Sequence, residues 1–481
     1  MSVHPMPVRS DAEVAERVDA LIAGMTAAEK AGQLTQYFYF DVPSPGQPAN
    51  GNTGGAEAPG DAFAGQGNTV EAALARGEVG SLLFVTDPAQ VNRLQRRAIE
   101  GSRHGIPVLF GFDVIHGLRT IFPVPIAMAA SWDPGVIERG QAVAAREARA
   151  VGIHWAFAPM VDIARDPWWG RIVEGAGEDP YLGAAVAAAQ VRGFQGDDPG
   201  SPGRVISGPK HFAGYGAALG GRDYDEVNLS DSELWNVYLP PFKAAVDAGA
   251  GNIMTAYMDL NGVPATGNRW LTEVLRGTWG FGGFLVSDAQ AVHNLRTHGF
   301  AADLTDAGAR ALGAGVDMEM AIGDPAYAHL PEAIEAGLAD EEALDACVRR
   351  VLAAKVRMGL LDQPYVDEDQ AREVLADPAH RAAAREAAQR SAVLLRNEGG
   401  LLPLADAGSI AVIGPLADSR RDILGPWVFD FDLDETVTVL DGIRTRAGQG
   451  AEVRYAPGIR PAQRVFPSMF DMFANNAPAE P

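Results

Sequence analysis

Between residue 79 and about residue 320, short apolar and β-branched runs alternate with amphipathic stretches rich in Ala, Leu, Glu and Arg. Runs too short for a helix, spaced by segments with helical periodicity, are the pattern of βα units on a parallel sheet. The predicted strands are 79–85, 107–112, 153–160, 204–207, 252–257, 284–287 and 316–320, with helices such as 136–150, 234–248, 302–314 and 342–358 between or after them. No Gly-rich dinucleotide turn follows any early strand, so the repeat predicts a (β/α)8 TIM-type barrel over residues 1–365 rather than an open doubly wound sheet.

The pattern changes twice outside those units. Residues 41–70 are rich in Gly, Pro, Ala, Asn and Thr without apolar periodicity and are predicted to be a long surface loop. After an acidic break at 362–374, residues 366–400 read as a linker and helix, the helix near 381–395. Residues 401–481 then carry an apolar run at 410–413, a helix near 439–446 and a second strand at 452–455. Two strands are few for an independent sheet, so this part reads as the incomplete start of an α/β sandwich domain, in a chain that looks C-terminally truncated.

Across its 481 residues the chain has 39 Lys and Arg against 62 Asp and Glu, a net charge of -23. Such a surface repels phosphate backbones and anionic bilayers, so neither nucleic acid nor membrane is an expected partner, and a neutral small molecule fits better. The one cysteine, Cys347, sits in an apolar helical pattern and reads as a small buried hydrophobe. Charges interleave near the N-terminus (Arg9, Asp11, Glu13, Glu16, Arg17, Asp19) where a signal peptide needs an apolar run, so the expected location is cytoplasmic.

A barrel of this kind places its active site at the C-terminal ends of the strands. There the sequence puts Asp113, Asp162 with the loop 165–171, Lys210 and His211, Tyr257, and Asp288. Carboxylates accept from sugar hydroxyls, Arg and Lys donate to them, and aromatic faces cover the C–H side of the ring, so the set suits a carbohydrate. Trp168, Trp169, Tyr215 and Tyr224 lie in the same loops. By local sequence alone Asp288 is a nucleophile or hydroxyl acceptor at a strand end, or equally the N-cap of a helix starting near Ala291. The histidines lack zinc-site spacing and no phosphate-binding glycine loop is present, so no metal and no cofactor is expected.

Several motifs occur together: Lys210-His-Phe-Ala-Gly-Tyr-Gly216, Gly221-Arg-Asp-Tyr224, Arg165-Asp-Pro-Trp-Trp-Gly-Arg171 with Gly177-Glu-Asp-Pro180, and Val286-Ser-Asp288. On these the chain resembles the glycoside hydrolase family 3 β-glucosidases, from residue 25 to about residue 458. The resemblance implies a retaining, exo-acting β-glycosidase without cofactor, acting on a small-molecule β-glucoside or oligosaccharide, with Asp288 as the nucleophile. It also implies that Asp113, Arg171, Lys210 and His211 bind the terminal sugar, and that Met254 and Tyr257 line the pocket. Many relatives place Trp after the nucleophile, whereas Ala289 and Gln290 stand here. In the β-glucosidase branch the general acid/base is a Glu of the second domain, which no residue here matches. The acid of the N-acetylglucosaminidase branch is an Asp-His pair, and no histidine stands between His211 and His293. Glu174, Glu178, Asp223 and Glu226 are the nearby carboxylates, in positions more often structural. A β-xylosidase or broad-specificity glycosidase is the neighbouring reading, and a non-catalytic sugar-binding barrel is the reading from another class.

Overall fold

The structure, a computed structural model, describes residues 9–40, 66–404 and 408–459. The expected loop at 41–65 and the tail beyond 459 lie outside the described residues, whereas residues 66–70 belong to a helix, Gln66–Arg76. Contacts divide the chain into two units, the first running to Ser391 and the second from Ala392.

Eight parallel strands make up the first unit: β1 (Thr35–Phe38), β2 (Ser81–Leu83), β3 (Leu109–Phe112), β4 (Trp155–Ala156), β5 (Ile206–Ser207), β6 (Asn252–Met254), β7 (Phe284–Ala289) and β8 (Met318–Ala321). They pair in the order β5-β4-β3-β2-β1-β8-β7-β6. The circle closes beyond β5, where Phe212 bridges Thr255 in parallel, the Phe212 N–H donating to Met254 O at 2.8 Å and the Ala256 N–H to Phe212 O at 2.9 Å. This is the TIM-type barrel that the βα repeat predicts.

Seven of the eight strands fall in predicted runs. The exception is β1, Thr-Gln-Tyr-Phe, which lacks an apolar run because part of the barrel lumen is polar. Gln36 is buried, and its Nε2 donates to Ser81 Oγ at 2.7 Å, which in turn donates to Leu109 O. On β3, Gly111 leaves the space that Phe157 fills, since a Cβ there would stand 2.4 Å from the Phe157 ring. The ladders at β4 and β6 are shorter than the apolar runs 153–160 and 252–257, because the chain leaves the sheet there to form the loops above it. The helix expected at 234–248 is also interrupted: Leu234–Tyr238 is a π-type turn and a helix resumes at Pro240–Asp247, two successive prolines having no N–H for the ladder.

Asp residues cap the outer helices. Asp133 caps Pro134–Val151, Asp340 caps Glu341–Arg357, and Asp179 caps Pro180–Gln195, its Oδ1 accepting from the Leu182 N–H at 2.7 Å. Each such cap is worth about 1 kcal/mol. A last helix, Pro378–Arg390, ends earlier than the expected 395 and is fastened by buried His380, whose Nδ1 lies 2.8 Å from Glu147 Oε1. Cys347 is buried, as expected of a small hydrophobe.

In the second unit, β9 (Ser409–Ile413) and β10 (Glu452–Ala456) pair in parallel, with the helix Val439–Ala447 between them in sequence. Thr438 and Asp441 form its capping box, and Leu440 is fully buried.

Candidate active site

The predicted site residues of the barrel lie at or just past the C-terminal ends of strands, except Arg171, which sits further along the loop after β4, and most of the side chains are interlinked. Asp113 follows β3 and Lys210 follows β5; the Lys210 ammonium donates to Asp113 Oδ1 at 2.6 Å with both groups buried. Burial pushes the Asp113 carboxyl up, and the Lys210 charge works against that shift. Removing either partner of such a buried pair strands a charge, at a cost of about 3–5 kcal/mol.

Arg171, in the loop after β4, makes a two-pronged contact with Glu174: its Nε donates to Oε1 at 2.7 Å and its Nη2 to Oε2 at 2.9 Å. The guanidinium carbon stands 5.5 Å from the centre of the Tyr215 ring. Burial alone would lower the Arg171 pKa, but Glu174 foremost, with Tyr215 and Asp288, more than reverses that and keeps the guanidinium charged. Among the nearby carboxylates, Glu174 is thus held in a structural pairing with this arginine. Glu178 stands just before Asp179, the N-cap of the helix Pro180–Gln195, and Asp223 and Glu226 are exposed, Asp223 Oδ1 accepting from Trp169 Nε1 at 2.9 Å.

Asp288 lies inside β7, and its N-cap reading is corrected here: the segment that follows holds only a single 3-10 turn, His293–Leu295. Its Oδ1 accepts from the Tyr257 hydroxyl at 2.6 Å and from the Ala289 N–H at 2.7 Å, while Oδ2 lies 3.3 Å from His211 Nε2. Burial raises the pKa of Asp288 above the ordinary carboxylate value. Lys210, the Tyr257 hydroxyl, Arg171 and the Ala289 N–H pull it back. Met254, at the end of β6, is buried beside the barrel seam, its backbone N–H donating to Pro209 O at 3.0 Å.

The aromatic residues of these loops divide. Trp169 and Tyr215 are fully buried and pack edge to face at 5.3 Å, so they are framework. Tyr224 is 59% exposed, has a left-handed backbone (φ 68°), and sets its ring 5.0 Å from that of Tyr257. Trp168 is exposed, and Gly221 brings its loop against it, since a Cβ there would stand 2.7 Å from Trp168 Cβ.

Two buried acids carried too little signal in the sequence. Asp162 stands in the sequence only as a strand-end carboxylate, yet its Oδ2 accepts from the backbone N–H of His211 at 2.9 Å and lies 2.8 Å from the Nδ1 of the same residue. Glu319, within β8, accepts from the Ala326 and Tyr327 N–H groups and ties down the following turn. Among the described residues no group of three or more His, Cys, Asp or Glu side chains is disposed to hold a metal ion, and no helix is long and apolar enough to cross a membrane.

Comparison with known proteins follows the same lines. Residues 26–354 match the glycosyl hydrolase family 3 N-terminal domain and residues 392–479 its C-terminal domain. The chain is 43% identical over 389 residues to a periplasmic β-glucosidase of Salmonella typhimurium, covering 79% of this chain and 51% of that protein. It is 35% identical over 397 residues to a β-xylosidase of Formosa agariphila, covering 77% and 55%. A β-glucosidase of Listeria innocua, solved in complex with glucose, superposes with a TM-score of 0.83 at 36% identity over 93% of this chain and 61% of that one. The chain thus spans about half the length of the curated relatives it matches. The Salmonella protein also overturns the expectation of a cytoplasmic location, since that relative is periplasmic. With both domain models matched over most of its length, the chain belongs to glycosyl hydrolase family 3.

Proposed function

We propose that this chain carries the glycone site and nucleophile of a retaining, exo-acting β-glycosidase that removes terminal β-D-glucosyl residues. The observation that carries the reading is the setting of Asp288: a carboxylate at a barrel mouth, fixed on Oδ1 by Tyr257 and the Ala289 N–H, with Oδ2 turned away from those two donors. In the reaction, Oδ2 attacks the anomeric carbon and the bond to the aglycone oxygen breaks. The resulting glycosyl ester is later hydrolysed by water. Asp113, Lys210, His211 and Arg171 bind the hydroxyls of the terminal sugar, and Met254 and Tyr257 line its pocket. Glucose is favoured as the sugar because a similar structure, the Listeria enzyme, holds it. The Formosa relative supports a xyloside as the second reading.

The test is intact-protein mass after incubation with 2,4-dinitrophenyl 2-deoxy-2-fluoro-β-glucoside and, in parallel, the corresponding xyloside, followed by peptide mapping. Departure of dinitrophenolate needs no general acid, so the first step is isolated. One sugar-sized mass gain on Asp288, absent from Asp288→Asn, is the expected result. A folded protein that gains no mass from either probe overturns the nucleophile assignment, and faster labelling by the xyloside moves the substrate from glucose to xylose.

A further inference from the structure

His211 is held between two carboxylates. Asp162 Oδ2 accepts from its backbone N–H and faces its Nδ1, while Nε2 lies 3.3 Å from Asp288 Oδ2 and makes no hydrogen bond within the described protein. The Asp162 and His211 side chains are each 1% exposed, so water screens neither contact. An uncharged imidazole has one N–H. With Asp162 ionised, that proton lies on Nδ1, and a bare Nε2 lone pair then confronts the oxygen proposed to attack. Charge counting points away from that arrangement. Around His211 two cations, Lys210 and Arg171, stand among four buried carboxyl groups, Asp113, Asp162, Glu174 and Asp288. Burying two uncompensated negative charges is costly, and one further proton halves the excess.

We infer that Asp162 is a positioning residue that keeps this further proton on the Asp162–His211 pair, so that one proton lies between Oδ2 and Nδ1 and another is presented by Nε2 to the nucleophile Asp288. The inference rests on the reading of Asp288 as nucleophile. Whether the first proton sits on the carboxyl or the ring, Nε2 is a donor. It faces Oδ2 while Tyr257 and the Ala289 N–H hold Oδ1, so both oxygens of the nucleophile meet positive ends of dipoles. Burial pushes Asp162 up to about 8, against the His211 N–H and the charges of Arg171 and Lys210, with Glu174 adding to the rise; the same burial, with Arg171 and Lys210, keeps the ring from taking the charge alone. Tyr215, edge-on to the ring at 5.1 Å, and Tyr257, at 6.3 Å, complete its surroundings.

The pair gives up its proton as pH rises, and the glycosylation rate falls with it. For the unmodified chain, the rate of labelling by the fluoroglucoside is expected to decline by about tenfold per pH unit above the pair's pKa. Asp162→Asn offers the same shape but no titrating proton. It is expected to label about tenfold or more slowly at neutral pH and to lose the alkaline decline. An Asp162→Asn variant that labels with the unmodified alkaline decline overturns the inference, whereas absence of any adduct from the unmodified chain at every pH overturns the nucleophile reading instead. Proton NMR of the unmodified chain is the second measurement and needs neither labelling nor a folded variant. A strongly downfield proton between Asp162 and His211 Nδ1 that moves upfield, together with an Nε2 proton that is lost, as pH passes the pair's pKa is expected, and a downfield resonance unchanged through that range overturns the inference independently.

Discussion

Tyr257 holds one oxygen of the proposed nucleophile. Its hydroxyl donates to Asp288 Oδ1 and is among the groups that pull the carboxyl back from the rise imposed by burial. Removing that hydroxyl in Tyr257→Phe therefore leaves Asp288 with a higher pKa, and its ionised fraction at a given acidic pH falls. The acid limb of the labelling rate should move to higher pH, with a loss of about tenfold at pH 5 and a smaller loss at pH 7, followed by mass spectrometry across a pH series. Most of these single residues were legible in the sequence, because a barrel places polar residues after apolar runs and Asp113, Lys210, His211, Tyr257 and Asp288 each follow or close one. What the sequence did not disclose was pairing. Nothing local to Glu174 distinguishes a carboxylate bound to Arg171 from a free one, and nothing near Asp162 shows that His211, 49 positions away, will meet it through both its backbone N–H and its ring.

At the scale of elements, the helix Glu341–Arg357 turns a buried face to the barrel and carries Lys355 on it, fully buried, its ammonium donating only to Gln33 Oε1 at 2.7 Å among the described residues. Burial pushes this lysine down to about 7. Between that value and the ordinary lysine value near 10.4 the unfolded chain binds the extra proton, so this group makes stability rise with pH over that window and lowers it below about pH 7. Lys355→Met should therefore raise the melting temperature more at pH 6 than at pH 9, by about 1 °C for each kcal/mol recovered in a unit of this size, as scanning calorimetry at the two pH values would show. Periodicity found the helices of the barrel well because their apolar stripes face the sheet. It missed β1, whose Thr-Gln-Tyr-Phe puts a glutamine into a polar lumen, and it ran one helix across Pro240 and Pro241, where ladder hydrogen bonds fail.

For the whole molecule, a net charge of -23 sets a self-repulsion that no single pair explains. Raising salt from about 10 mM to about 150 mM shortens the screening length from about 30 Å to about 8 Å, and the melting temperature should rise accordingly; a fall on adding salt would mean that attractive surface pairs dominate instead. Closure of the barrel depends on the segment 209–212, which joins the β5 side to β6 through Phe212 and carries Lys210 and His211 on the way. The clasp of the cylinder and part of the proposed sugar site are thus one stretch of backbone. A molecule whose ring springs open at this seam loses the placement of Lys210 and His211 in the same event, so under the proposed function it cannot stay half-working. On that reading, labelling by a glycoside probe gauges whether the ring is shut, and a ligand that grips those two side chains tightens the fastening that made its own berth.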